Sequence, residues 1–120
     1  MKILVVDDSK TMRMLVKRSI RHAGFGDADI IEAEDGADAV NVAKDEEPDL
    51  ILADWNMPNM TGIEMLEALR AEGNRVKVGF VTSESTQEIR ARAEAAGASF
   101  FISKPIDDAK LEAALKEVGV

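Results

Sequence analysis

Several side chains that could do chemistry stand at the ends of short apolar runs in this sequence. They are Asp7, Asp8, Asp54, Thr82, Ser83, Ser103 and Lys104. If the apolar runs are parallel strands of one open sheet, their carboxyl ends lie along a single edge, and ligands bind at that edge. Three carboxylates, several hydroxyls and one lysine would then meet at one site.

The chemistry of such a site follows from its charge. Three neighbouring carboxylates raise one another's pKa unless a positive charge intervenes. Mg²⁺ is a suitable cation, because it binds one or two carboxylates together with waters and a phosphate oxygen. One carboxylate could act as a nucleophile and form an acyl phosphate. Lys104 would neutralise charge on the transferred group and Thr82 would donate a hydrogen bond to it.

Each of these residues also has a plain structural interpretation. Asp8 or Ser9 could be the N-cap of the first helix. Asp54 could begin a turn towards Pro58, and Lys104 could be a solvated loop lysine. Their joint placement at strand ends favours a metal and phosphate site over a set of unrelated coincidences.

The elements that must position these residues alternate along the chain. Predicted strands cover residues 2–6, 30–31, 50–53, 76–81 and 99–102, and predicted helices cover 11–23, 36–44, 61–70, 85–96 and 107–118. The strands are almost continuously apolar, which is typical of a parallel sheet covered on both faces. The pattern therefore predicts an α/β fold of five strand–helix units.

Local signals mark where several helices begin and end. Thr61 and Ser85 each stand three residues before a glutamate, which is the pattern of a capping box. Asp107 is a predicted N-cap, and Gly24 and Gly73 follow predicted helix ends. In the first two helices, the stripes at helical spacing are Met12, Leu15, Val16, Ser19/Ile20 and Ala23, and Ala37, Val40 and Ala43. Gly79 interrupts the fourth strand and suggests a close backbone approach.

Composition narrows the classes of function. The 120 residues and the 46% hydrophobic content predict one domain, residues 1–120, with a real core. The net charge of −8 argues against nucleic acid as a partner. There is no cysteine, and no apolar run of membrane-spanning length. We therefore expect a soluble cytoplasmic protein, and the position of Met1 suggests a stand-alone one.

Motifs of other site types are missing or weak. The sequence has no glycine-rich nucleotide loop of the common kinds and no nucleophile elbow. His22 is the single histidine, so a histidine metal site is excluded, and a helix-dipole contact is its expected role. Trp55, beside Asp54, is predicted to be a core residue that also reports ligand binding by its fluorescence.

With these residues in place, the chain resembles the receiver domains of two-component response regulators. The resemblance covers essentially the whole chain. It rests on Asp7-Asp8, Asp54, Thr82 and Lys104-Pro105, in that order. The segment 54–60, followed by Gly62, is most similar to the chemotaxis regulators within the family. The resemblance implies a flavodoxin-like, doubly wound (βα)5 fold with strand order 2-1-3-4-5, an order that periodicity does not give.

The resemblance also implies a division of roles at the metal site. Asp54 would accept a phosphoryl group from a phosphohistidine of a partner histidine kinase. Asp8 and Asp54 would bind Mg²⁺ directly, and Asp7 would do so mainly through water. The backbone carbonyl of Asn56 would complete the protein ligands. Slow self-dephosphorylation is expected, so the chain would be a signalling phosphoacceptor and not an enzyme.

A switch is implied as well. Thr82 and Lys104 would hold the phosphoryl oxygens, and the Phe101 ring would turn inward when Thr82 moves towards the phosphate. The surface formed by the fourth helix, fifth strand and fifth helix would then change its affinity for a target. The implied target belongs to chemotaxis or motility, with the flagellar motor switch as the candidate, and the chain is expected to be a monomer.

Some residues depart from the chemotaxis pattern. Phe101 stands where those regulators have tyrosine, which excludes readout through a phenol. Ile106 stands where the family commonly has phenylalanine, and Ser83 replaces a common alanine. The alternatives are therefore a stand-alone or excised receiver of another two-component pathway, and a receiver-like module that binds constitutively. An aspartyl-phosphate phosphohydrolase is disfavoured, because that class needs a second acid at the position of Asn56 and a cap domain.

Overall fold

Short strands and helices alternate along the computed structural model, which describes residues 1–83 and 86–119. The strands are β1 (Lys2–Val6), β2 (Asp29–Ala33), β3 (Leu50–Ala53), β4 (Lys77–Thr82) and β5 (Phe100–Ser103). The helices are α1 (Lys10–His22), α2 (Gly36–Glu46), α3 (Gly62–Ala71), α4 (Gln87–Ala95) and α5 (Asp108–Glu117). In these described ranges no helix is both long and apolar enough to cross a bilayer.

The strands form one parallel five-stranded sheet in the order β2-β1-β3-β4-β5. This confirms the flavodoxin-like, doubly wound α/β fold and the order expected from the resemblance. The order places β1 and β3 side by side at the centre, with β4 next to β3. The four strands that are followed by predicted site residues, β1, β3, β4 and β5, are therefore consecutive in the sheet. The edge strand β2 carries none of these residues.

Each face of the sheet is covered by a layer of helices. On one face Ile3 and Val5 of β1 pack in a buried cluster with Ile20 of α1 and Leu111 of α5. On the other face Leu4 and Val6 of β1 belong to a second buried cluster, which also contains residues of α2, α3 and α4. A strand buried on both faces has no polar side to show, which is why the predicted strands read as continuous apolar runs.

Asp8 and Ser9 are the two candidates for the N-cap of α1. Ser9 is the N-cap, because its side chain accepts a hydrogen bond from the backbone N–H of Met12 at 3.2 Å. Asp8 does not cap the helix and stays exposed. The carboxylate of Asp8 is thereby left available for other partners.

The buried faces of the first two helices differ from the predicted stripes. In α1 the buried residues include Arg13 and Ser19, whereas Leu15 is 44% exposed. In α2 the buried alanines are Ala39 and Ala43, and Ala37 is exposed. The stripe predictions were wrong at Leu15 and Ala37, whereas Ser19 is buried as predicted. In α1 polar Arg13 is buried instead of Leu15, because it finds hydrogen-bond partners in Asp7 and Glu32.

Several predicted helix ends are confirmed. Thr61 and Glu64 form the expected capping box at α3, and Asp107 caps α5. Gly24 and Gly73 follow α1 and α3 with positive φ angles of 98° and 79°, which favour glycine. The cap of α4 is Thr86, which accepts from the N–H of Ile89. The predicted capping box at Ser85 lies outside the described residues.

The structure explains the glycine at position 79 by a different contact from the predicted one. A β-carbon at Gly79 would overlap the ring of Phe100, its register partner on β5. The close approach is therefore that of a side chain and not of a backbone. The glycine leaves the space into which the Phe100 ring packs across the sheet.

Gly62 is where the backbones do approach closely. Its N–H donates to the carbonyl of Trp55 at 2.9 Å, which ties the first turn of α3 to the segment after β3. A β-carbon there would overlap the Asp54 carbonyl oxygen and lie 2.7 Å from the ring of Phe80. Glycine is therefore required for α3 to begin directly beneath the end of β3.

We expect Gly62→Ala to destabilise the fold. The added methyl group must displace the Asp54 backbone or the Phe80 ring, and overpacking of this kind costs about 1–3 kcal/mol. Gly26→Ala is the matched control, because a β-carbon there meets nothing within 4 Å. Urea denaturation followed by circular dichroism measures both free energies of unfolding, and equal values for the two variants would contradict the packing argument.

Candidate functional site

The backbone of the sheet places two of the acidic residues next to each other. Val6 of β1 is the register partner of Ala53 of β3, so Asp7 and Asp54 follow directly on adjacent strands. The pairing continues one residue further, because the Asp54 N–H donates to the Val6 carbonyl at 3.1 Å. The Asp7 N–H similarly donates to the Ala33 carbonyl of β2 at 3.2 Å. Sheet hydrogen bonds, and not loop contacts, thus position both residues.

The three predicted acidic residues do converge. One carboxylate oxygen from each of Asp7, Asp8 and Asp54 lies within 4.8 Å of the others. Asp7 is buried, Asp54 is half-buried and Asp8 is exposed. The cluster therefore opens to solvent on the side of Asp8 and is closed beneath Asp7.

Lys104 provides positive charge at this cluster. Its Nζ lies 3.3 Å from Oδ2 of Asp54 and 3.4 Å from Oδ2 of Asp7. Its backbone N–H donates to the Thr82 carbonyl at 2.8 Å, and the peptide bond to Pro105 is cis. Lys104 directly follows β5, so its side chain reaches back past β4 to the ends of β3 and β1.

The environment of Asp7 favours its neutral form. Burial is the main cause that raises the pKa of this carboxyl, and the negative charge of Asp54 raises it further. The N–H of Ser9, 2.9 Å from Oδ1, and the ammonium group of Lys104 both lower it, but the net shift is upward. A further cation near the cluster would offset the cost of the buried charge on Asp7 and its smaller repulsion with Asp54.

Asp54 makes its contacts through both carboxylate oxygens. Oδ1 accepts a hydrogen bond from the N–H of Trp55 at 2.7 Å, and Oδ2 faces Lys104. These two contacts hold the carboxylate at the open side of the cluster. Its side chain is 12% exposed, compared with 5% for Asp7.

The remaining predicted residues lie around the same edge. Thr82 is the last residue of β4 and is fully buried, whereas Ser83 after it is exposed. Asn56 is exposed in the segment that follows Asp54. Ser103 ends β5, and its Oγ accepts a hydrogen bond from Arg90 of α4 at 3.0 Å. Ser103 therefore belongs to the contact between α4 and β5.

An aromatic cluster lies next to the acidic one. The Trp55 ring packs edge-on against Phe80 with centroids 5.2 Å apart, and Phe101 lies 6.3 Å from each of them. Trp55 is buried, as predicted for a core residue, and Phe101 is half-buried. The guanidinium carbon of Arg90 stands 4.8 Å from the centre of the Phe101 ring. A continuous packed path thus runs from the residue after Asp54 to the surface of α4.

His22 lies away from this site. It is in the last turn of α1, where a favourable dipole contact was predicted, and its Nδ1 is 3.2 Å from a carboxylate oxygen of Asp108. The other oxygen of Asp108 accepts a hydrogen bond from buried Ser19. These contacts join α1 to α5 and have no evident part in the chemistry.

Arg13 is the site residue for which sequence analysis predicted no role. It is only 8% exposed, and its Nη1 donates to the carbonyl of Asp7 at 2.6 Å. Its Nε donates to the carboxylate of Glu32 at 3.0 Å. The available signal was its position three residues before Val16, on the face of α1 that meets the sheet.

The donor set suits a hard divalent cation. Three carboxylates offer oxygens within 4.8 Å of one another at an edge that is open on one side. Carboxylate oxygens, with waters completing the shell, are the ligands that Mg²⁺ takes in proteins. The residues present therefore fit a metal ion of this kind.

Comparison with known proteins agrees with this geometry. The family model of the response regulator receiver domain matches residues 3–116. The chain is 39% identical to the chemotaxis protein CheY-3 of Vibrio cholerae serotype O1 over 120 residues, which cover 98% of this chain and 91% of that protein. It is 37% identical to the chemotaxis protein CheY of Pseudomonas aeruginosa over 98% of this chain and 95% of that one.

A solved structure gives the same result in three dimensions. The chemotaxis protein CheY4 of Vibrio cholerae superposes with a TM-score of 0.85 at 32% identity, covering 98% of this chain and 97% of that one. Sequence, fold and the acidic pocket formed by Asp7, Asp8 and Asp54 therefore agree. This chain belongs to the family of response regulator receiver domains and is a signalling phosphoacceptor, not a conventional enzyme.

Proposed function

We propose that Asp54 accepts a phosphoryl group from a histidine kinase in a Mg²⁺-dependent reaction, with residues 1–120 acting as one monomeric receiver. The observation that carries the proposal is the position of Lys104, whose ammonium group contacts both Asp7 and Asp54 beside exposed Asp8. Such a group of fixed charges is suited to phosphoryl transfer, where positioning and electrostatics supply most of the catalysis.

Strand order supports Asp54 as the acceptor among the three carboxylates. Asp54 follows β3, which lies between β1 and β4. A phosphoryl group on Asp54 would therefore have the acidic pair after β1 on one side and Thr82 of β4 on the other. Asp7 is more deeply buried, so its oxygens are less accessible to a partner protein.

The transfer step can be written with its atoms balanced. An oxygen of the Asp54 carboxylate attacks the phosphorus of a phosphohistidine, and a P–O bond forms while the P–N bond breaks. The imidazole nitrogen leaves with the electron pair and takes a proton from solvent. The product is an acyl phosphate on Asp54, which water later hydrolyses to inorganic phosphate and free carboxylate.

The metal and phosphate contacts divide between the two sides of Asp54. Asp8 and Asp54 would hold Mg²⁺ directly, Asp7 would act mainly through water, and the carbonyl of Asn56 would add a ligand. The bound ion would neutralise negative charge on the transferred group. Lys104 would then hold a phosphoryl oxygen in place of its contact with the Asp54 carboxylate.

The output follows from the aromatic path beside the site. The hydroxyl of Thr82 would donate a hydrogen bond to the phosphoryl group. The movement of Thr82 towards the phosphoryl group would make room for the Phe101 ring to turn further inward. Phe101 packs against Trp55 and Phe80 and under Arg90 of α4, so its rotation would alter the surface made by α4, β5 and α5. This is a shift between two populated states of one fold.

The pathway we propose is chemotaxis or motility in the cytoplasm, with the flagellar motor switch as the downstream target. Identities of 37–39% to proteins named as chemotaxis regulators, over nearly the whole chain, support this choice. A second candidate is a receiver of another two-component pathway. It is favoured by Phe101, which offers no phenol to a target where the chemotaxis pattern has tyrosine.

Phosphorylation should depend on Asp54. We expect incubation with acetyl phosphate and Mg²⁺ to add one phosphoryl mass to the wild type and none to Asp54→Ala, because the nucleophile is missing. Intact-protein mass spectrometry measures both. Asp45→Ala removes an exposed carboxylate on α2 and should incorporate normally. Incorporation by Asp54→Ala at the wild-type level would refute the assignment of the acceptor.

Mg²⁺ should change the fluorescence of Trp55, the only tryptophan, because its backbone N–H donates a hydrogen bond to the Asp54 carboxylate. Asp8→Ala should weaken the binding by at least ~10-fold, since substitutions of even outer-shell groups cost that much. A fluorescence titration with MgCl₂ measures the affinity, with Asp45→Ala again as the control. Identical curves for wild type and Asp8→Ala would remove Asp8 from the metal site.

Thr82 should couple phosphorylation to α4. In wild type we expect acetyl phosphate to change amide hydrogen exchange in α4 and β5. Thr82→Val keeps the shape but lacks the hydroxyl, so the exchange change should be lost while the phosphoryl mass still appears. Thr11→Ala, an exposed site on α1, is the control. An unaltered exchange response in Thr82→Val would contradict the coupling.

A further inference from the structure

A buried guanidinium contacts the backbone of the acidic pair Asp7-Asp8. Arg13 is 8% exposed, and its Nη1 donates to the carbonyl oxygen of Asp7 at 2.6 Å. Its Nε donates to Oε1 of Glu32 on β2 at 3.0 Å. The side chain thus bridges the end of β1 to the neighbouring strand.

The carbonyl that Arg13 holds belongs to the peptide group between Asp7 and Asp8. Both carboxylates extend from the two ends of this one peptide group, so its rotation would move both. The N–H of Asp7 is bonded to Ala33, and its Oδ1 accepts from the N–H of Ser9. Arg13 adds the contact that restrains the carbonyl end of Asp7.

Glu32 is the counter-charge that keeps Arg13 in place. Burial raises the pKa of its carboxyl, but the hydrogen bonds and charges of Arg13 and Lys17 outweigh this and hold the pKa below its usual value. Nζ of Lys17 lies 3.3 Å from Oε2 of Glu32, the oxygen that Arg13 does not contact. A buried charge is stable when it is both paired and hydrogen-bonded, and Arg13 meets both conditions.

We propose that Arg13 is a positioning residue, which bridges the Asp7 carbonyl and Glu32 and thereby orients the carboxylates of Asp7 and Asp8 for a divalent cation. The inference rests on the proposed function of the acidic site and adds to it a support outside the metal ligands. Outer-shell hydrogen bonds orient ligands in this way, and their loss typically costs 10–100-fold in metal affinity.

The bridge requires arginine and not simply a positive charge. A guanidinium presents several donors in a fixed plane, so it can bond a carbonyl and a carboxylate at the same time in different directions. The ammonium of lysine is a compact charge on a flexible stem and cannot reproduce this fork. Arg13→Lys therefore separates positioning from charge.

The test compares Mg²⁺ affinity with folding in four variants. Arg13→Lys and Arg13→Ala remove the bridge, and Glu32→Gln keeps an acceptor for Arg13 but removes the counter-charge. Lys17→Ala is the matched control, because it removes the other partner of Glu32 and leaves the contact with Asp7. Trp55 fluorescence in MgCl₂ gives the affinity, and urea denaturation gives the folded fraction of each sample.

The expected result is an affinity for Mg²⁺ that falls about 10–100-fold in Arg13→Lys and Arg13→Ala, less in Glu32→Gln and not in Lys17→Ala. Arg13→Lys should remain folded at the start of the titration. Raised MgCl₂ should restore its phosphoryl incorporation from acetyl phosphate, which a loss of folded protein or of the nucleophile would not allow.

Two results would overturn the inference. Wild-type affinity in folded Arg13→Lys would mean that charge alone suffices and that no bridge is needed. An affinity loss that only tracks the unfolded fraction would make Arg13 a purely structural residue. Absence of a Mg²⁺ response in the wild type is a different failure, which contradicts the proposed function itself and takes the inference with it.

Discussion

Repulsion among three carboxylates at one edge of a parallel sheet is the constraint on which the rest of this structure depends. Asp7, Asp8 and Asp54 present oxygens within 4.8 Å of one another, and burial of Asp7 raises the cost of its charge. Lys104 contacts two of the three and partly offsets that cost. A site short of positive charge attracts a divalent cation, and in the proposed reaction that cation would in turn attract the anionic phosphoryl group.

The fold holds these charges in place with backbone hydrogen bonds. Asp7 and Asp54 continue the pairing of β1 and β3 by one residue, so neither carboxylate depends on a flexible loop for its position. Gly62 lets α3 begin against the carbonyl of Asp54, the proposed acceptor. The cluster is therefore formed without a ligand, and the proposed phosphoryl transfer would require little reorganisation.

Two sets of contacts lead away from the cluster in different directions. Arg13 and Glu32 extend from the acidic pair towards β2, where they would steady the metal side of the site. Trp55, Phe80 and Phe101 extend towards α4, where Arg90 covers the last ring. The polar set is suited to fixing a geometry, because Arg13 is buried and hydrogen-bonded at two ends. The aromatic set is suited to transmitting a change, because packed rings can adopt alternative rotamers.

The sequence by itself determined approximately where the strands lie, which residues cap α3 and α5, and that the acidic residues and the lysine would share one edge. These features follow from local patterns, since alternation of elements and capping chemistry need no knowledge of distant contacts. Only the tertiary structure decided that Arg13 is buried while Leu15 is exposed, and that Gly79 makes room for the Phe100 ring. Those outcomes depend on which side chains meet across the sheet, and hydrophobicity along one helix or strand carries no record of a partner that lies on another element.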